Sequence, residues 1–99
     1  MTSAIFLPPA RQELNEAIAF YESKSSGLGI SLSEEVEAYV QKLDQFPLTG
    51  QRLRGPLRRM LLSRFPYQLI YRIERSQLIV LALAHQKQKP GYWQRREKQ

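Results

Sequence analysis

Tyr67-Gln68-Leu69-Ile70-Tyr71-Arg72-Ile73, then Glu74-Arg75-Ser76-Gln77, then Leu78-Ile79-Val80-Leu81-Ala82-Leu83-Ala84-His85: this stretch decides the fold. The first piece is rich in strand formers and the second is a polar turn. The third is apolar on both faces, as a central, buried strand is. A link this short joins antiparallel partners. Upstream, Leu57 to Phe65 alternates Leu57, Arg59, Leu61 and Ser63 against Arg58, Met60, Leu62 and Arg64, the two-residue period of a strand. Pro66 marks a turn or bulge, because proline cannot donate to a ladder. Residues 57–85 therefore predict a three-stranded antiparallel meander.

Toward the N-terminus the period changes. Leu48 to Pro56 holds Gly50 and Gly55 and predicts a loop carrying Arg52 and Arg54. Before it, Leu32, Val36, Tyr39, Val40, Leu43 and Phe46 recur at helical spacing, which predicts a helix over 30–46. Ser31 and Glu34 have the form of a capping box, and Pro47 stops the helix. Ser25-Ser26-Gly27-Leu28-Gly29 is a break. Ala10, Leu14, Ala17, Ile18 and Tyr21 predict another helix over 9–24, with Pro9 in its first turn. So short a link makes the two an αα-hairpin. Ile5-Phe6-Leu7, closed by Pro8-Pro9, predicts a brief first strand at an edge. The order is β-α-α-β-β-β, an α+β domain over 1–99 with a short C-terminal tail or helix. In that tail Tyr92 and Trp93 are the large apolar groups and are expected to pin it to the body.

The 99 residues are 42% apolar and 24% charged, ordinary for a globular domain and unlike a disordered chain. There is no cysteine and one histidine, His85. That excludes disulfides, a thiol nucleophile, cysteine-based zinc sites and paired-histidine metal motifs. No cofactor or metal is expected. The run Leu78–Ala84 is far short of the ~20 residues a membrane span needs, and the start lacks a signal peptide's basic region. No membrane partner is expected, and the expected compartment is the cytoplasm. The net charge is +6, and it is unevenly placed. Residues 1–49 carry three basic against seven acidic side chains, a net of −4; residues 50–99 carry twelve against two, a net of +10. A polyanionic or acidic partner follows.

The ordered pieces resemble one family. They are Ala10-Arg11-Gln12-Glu13-Leu14-Asn15-Glu16-Ala17, Tyr21-Glu22, Gly27-Leu28-Gly29, Phe46-Pro47, Gly50, Leu57-Arg58-Arg59, Arg64-Phe65-Pro66-Tyr67, Ile70-Tyr71-Arg72, Ile79 to Gln86, and Pro90-Gly91-Tyr92-Trp93 with Arg95-Arg96. Their order and spacing over roughly ninety residues are similar to the RelE/ParE superfamily of type II toxin–antitoxin systems. The resemblance implies a toxin held in check by an acidic, partly disordered antitoxin. RelE-like members cut messenger RNA in the ribosome; ParE-like members act on DNA gyrase.

RNA cleavage at a 2′-OH needs a base, cations for the phosphorane and an acid for the leaving oxygen. Histidine is the side chain whose ordinary pKa lies nearest neutrality, which makes His85 the candidate acid–base group, and Arg59 and Arg64 could grip the phosphate bidentately. These three form the candidate catalytic set of a metal-independent endoribonuclease, expected together at the sheet's open face. Arg58, Arg72, Lys87, Lys89, Tyr92, Trp93, Arg95 and Arg96 are candidate target-binding residues. Arg58 and Arg59 are adjacent on a strand and face opposite sides. RelE-like nucleases commonly carry an arginine near the start of the second long strand, where this chain has Gln68. That departure favours the ParE-like reading, with the RelE-like ribonuclease as the alternative. A plain basic RNA-binding domain fits the composition but not the ordered matches.

Overall fold

The computed structural model describes residues 4–98, without the side chains of the last two. Strand β1 (Ile5–Phe6) leads into helix α1 (Pro8–Lys24), then helix α2 (Leu28–Gln45). A 3₁₀ turn (Pro47–Thr49) follows, then β2 (Gln51–Arg52), β3 (Arg58–Leu61), β4 (Tyr67–Glu74) and β5 (Gln77–His85). A second 3₁₀ turn spans Gln94–Lys98. The sheet order is β1-β5-β4-β3-β2, with β1 parallel to β5 and every other pair antiparallel. The α+β order read from sequence holds. The sheet has five strands because Gln51–Arg52, inside the expected loop, pairs with Arg58–Arg59.

Both faces of the sheet are covered, which explains the unbroken apolar run of β5. On one face lie the two helices, through Ala10, Leu14 and Ala17 of α1 and Leu32, Val36, Val40 and Leu43 of α2. They meet Leu69, Tyr71, Leu78, Val80 and Leu83. On the other face Leu57, Ile70, Ile79, Leu81, Ala82 and Ala84 pack with Leu7 and Trp93. Trp93 and Tyr92 thus pin the tail as expected. Within β4–β5, Ile70 opposes Ala82 but Tyr71 opposes Val80. Leu81 is the extra residue of a bulge, and it lets Leu81 and Ala82 both join the tail-side core.

Four local expectations are corrected. The second helix starts at Leu28 rather than 30, capped by Gly27 at φ 87°, a backbone region that favours glycine. The Ser31–Glu34 capping box does not form, because Ser31 is already inside the first turn, its hydroxyl donating to Gly27 O at 3.3 Å. The helix terminus instead receives a carboxylate from the neighbouring helix. Glu22 accepts hydrogen bonds from Gly27 N and Gly29 N, at 2.9 and 3.0 Å. Gly29 also fits a close crossing, since a Cβ there would meet Ile18 O at 2.6 Å. Phe46, expected in the apolar stripe, is 62% exposed. The helix ends at Gln45, and the backbone of Phe46 leaves it at ψ 71°. Finally, the strand expected over 57–65 pairs only over Arg58–Leu61. Beyond it the chain turns, with Leu62 N donating to Tyr67 O at 2.9 Å.

Candidate functional site

His85 ends β5 opposite Tyr67. Their rings meet edge to face, with centroids 5.2 Å apart. Burial, then the neighbouring Tyr21, raises the Tyr67 hydroxyl's pKa. His85 Nδ1 accepts from Lys87 N at 3.1 Å, which places the proton of a neutral ring on Nε2. The imidazole faces a cleft of about 280 Å³ between the sheet and α1, lined by Glu13, Glu16, Ala17, Phe20, Tyr67, Leu83 and Gln88. Among the described residues the lining holds two carboxylates and no cation.

The structure does not gather the three candidate catalytic residues. Arg59 opposes Ile70 in the β3–β4 register, so it lies on the sheet face away from the helices, and its Nε donates to Gln51 Oε1 at 2.9 Å. His85 is on the helix face. Arg64 sits in the β3–β4 turn with its guanidinium 5.9 Å from the Phe65 ring centroid. That turn is held by Glu35 of α2, whose Oε2 accepts from Ser63 N at 2.7 Å and Arg64 N at 3.0 Å. Gln68 is buried on Arg59's face, and among the described residues its Oε1 has no hydrogen-bond donor.

Several candidate binding residues are spent on the fold. Arg72 is 8% exposed and pairs with Glu74 at 3.4 Å. Reversing its charge would therefore test the fold rather than a docking surface. Arg58 lies on the helix face opposite Tyr71, where its Nη1 donates to Gly50 O at 2.9 Å and Leu48 O at 3.3 Å. Trp93 is buried. Tyr92 and Arg96 converge on Glu13. Its carboxylate accepts from the Tyr92 hydroxyl at 2.7 Å and from Arg96 Nη1 and Nη2 at 2.9 and 3.2 Å. Burial, reinforced by the bond to Glu13, raises the Tyr92 pKa strongly. Lys89 and Arg95 flank a groove with Pro90, Gly91, Tyr92 and Gln94. Lys87 follows His85 in an exposed turn.

Glu13 also finishes an edge. Strand β1 covers β5 at Ile79 and Val80 only. Beyond it, Leu81 O accepts from Arg96 Nη1 at 3.0 Å, Leu83 N donates to Glu13 Oε1 at 3.1 Å, and His85 N donates to Gln88 Oε1 at 3.1 Å. Side chains replace the missing strand on an edge that would otherwise template pairing. Sequence reasoning missed Glu13, Glu22 and Glu35 as organising groups. No short-range signal marks Glu13 or Glu35, because their partners lie far along the chain.

These elements define a class, the α+β toxin domain with an αα-hairpin on a mostly antiparallel sheet. The family of the ParE toxin of the type II toxin–antitoxin system parDE matches over residues 4–90, and the chain belongs to it. No curated protein matches. Among solved structures, a chain of the chromosomal ParDE toxin–antitoxin system from P. aeruginosa is 19% identical with a TM-score of 0.71, covering 86% of this chain and 96% of that one. A chain of the RelBE2 toxin–antitoxin complex from Mycobacterium tuberculosis is 25% identical with a TM-score of 0.56, covering 83% and 94%. The protein is thus a type II toxin of the ParE/RelE kind.

Proposed function

We infer that this toxin works by binding a target, DNA gyrase, in the cytoplasm rather than by cutting RNA, and that an acidic, partly disordered antitoxin neutralises it. The observation that supports this most is the surroundings of His85. A general acid–base residue acting on a phosphodiester needs cations beside it. Among the described residues its cleft instead presents no cation and the acidic Glu16, the charge of Glu13 being already answered by Arg96, and Arg59 lies across the sheet. The family match points the same way, and a binding toxin needs no assembled catalytic set.

The test is a pulse of expression with separate readouts of DNA damage and translation, beside a supercoiling assay with purified gyrase. The expected result is DNA damage, inhibited supercoiling and toxicity retained by His85→Ala. Cut transcripts that disappear in His85→Ala, with a loss of activity of roughly 10²–10⁴, would replace this reading with the ribonuclease. Neutralisation is tested by co-expressing the product of the flanking gene, expected to be acidic and to restore growth.

A further inference from the structure

The far end of the helix face, past the C-terminus of α2, holds a second cleft of about 340 Å³. Leu48, Arg52, Gly55, Pro56, Arg58 and Ile73 line it. Arg52 and Arg58 stand directly opposite each other in the β2–β3 register. Opposed side chains on one face approach within about 5 Å at Cβ, and like charges so placed repel. The fold nevertheless holds the pair in place. Arg58 is oriented by its bonds to Leu48 O and Gly50 O. Arg52 is exposed, and among the described residues no carboxylate pairs with it. Among the described residues no acidic side chain lines the cleft. Two guanidinium groups lining one cleft, with no carboxylate in its lining among the described residues, match one anionic group gripped from both sides.

The walls say what carries that anion. Leu48 and Ile73 line the cleft; Leu48 is 70% exposed, and Phe46, two residues before it, is 62% exposed. A polynucleotide backbone would gain little from such walls, whereas an acidic side chain flanked by large apolar ones satisfies both. We propose that the Arg52–Arg58 cleft is a docking site for a peptide segment presenting a Glu or Asp next to Leu or Phe. It deepens the partner reading above by naming where on this chain an acidic segment is gripped and by what chemistry.

A random peptide library displayed on phage, selected against the full chain, tests this. The expected result is enrichment of peptides with adjoining acidic and large apolar residues. Their amide shift changes should cluster at Arg52, Gly55, Arg58 and Ile73. Arg52→Ala and Arg52→Glu should weaken them by about tenfold or more, and Arg54→Glu, outside the cleft, by about twofold at most. Arg52→Glu supplies its own carboxylate to Arg58, so the fold survives. Selection without that motif, equal loss in the Arg52 and Arg54 variants, or shifts confined to the tail would overturn the proposal. So would a short oligo-RNA or oligo-DNA that competes at the same amides. If the flanking gene's product neutralises the toxin and also binds Arg52→Glu undiminished, the cleft is not the docking site although the partner reading stands. Peptides that behave as expected while that product fails to neutralise would remove the partner reading alone.

Discussion

The two ends of the helix face carry opposite electrostatic designs. At the His85 end, tail donors are drawn in and spent, with the cationic Arg96 and the Tyr92 hydroxyl both on Glu13. At the Arg52 end, two basic groups face each other and, among the described residues, no acid lines their cleft. The +10 of residues 50–99 is therefore not a uniform cationic surface. Part of it is internal glue, paid for by the acidic first half, and part is left for a partner. Net charge alone does not separate the two.

The sharpest way to break this contrast is Glu13→Ala. It strips four hydrogen bonds at once and leaves a partly buried Arg96 without its carboxylate. Breaking such a pair should cost about 3 kcal/mol. Urea denaturation is expected to show the loss, and Trp93 fluorescence to show release of the tail below the main transition. An unchanged midpoint would mean that the tail is not held by this carboxylate.

A smaller effect at the same end is pH-dependent. The Tyr92 hydroxyl has its pKa raised in the fold, through burial and then Glu13, against about 10 for an unfolded tyrosine. A raised folded value favours the protonated form. Its stabilising contribution is complete below pH about 10 and is lost as the pH climbs toward the folded value. Tyr92→Phe has no such proton to lose. The wild type is expected to lose more stability than the variant between pH about 9 and 12 by circular dichroism. Parallel curves would remove Tyr92 as the source.

The smallest effect is expected at the other end. Arg52→Ala should change folding stability by no more than about 0.5 kcal/mol, the range of a surface group without partners. Relief of repulsion with Arg58 sets the direction, slightly toward stability. A loss above about 1 kcal/mol would show that Arg52 belongs to the fold, and the contrast between the two ends would disappear.

Much of the architecture is legible because its signals are local. The helical stripes through Ala10, Leu14 and Ala17 and through Leu32, Val36, Val40 and Leu43 bury the residues that their spacing selects. The β4–β5 hairpin and the edge position of Ile5–Phe6 likewise follow from short runs and breakers. The capping of α2 was misread because the motif Ser31–Glu34 is common and the true capping group, Glu22, comes from another helix. Strand β2 was missed because two polar residues between glycines carry no period; only pairing with β3 makes them a strand. The candidate site was the least legible. Alternation assigned Arg58 and Arg59 to opposite faces, and the structure agrees. It could not say which face His85 shares, because the bulge at Leu81 shifts the parity of β5 relative to β4.

By itself the sequence determined the order of elements, the apolar stripes and the charge imbalance, since each depends on neighbours within a few residues. Only the tertiary structure decided what the charged residues do. Glu13 meets Leu83, Tyr92 and Arg96 across 70, 79 and 83 residues of chain, and Arg52 faces Arg58 through a strand pairing that no local pattern encodes. A Coulomb interaction depends on distance and dielectric, and the fold alone sets both.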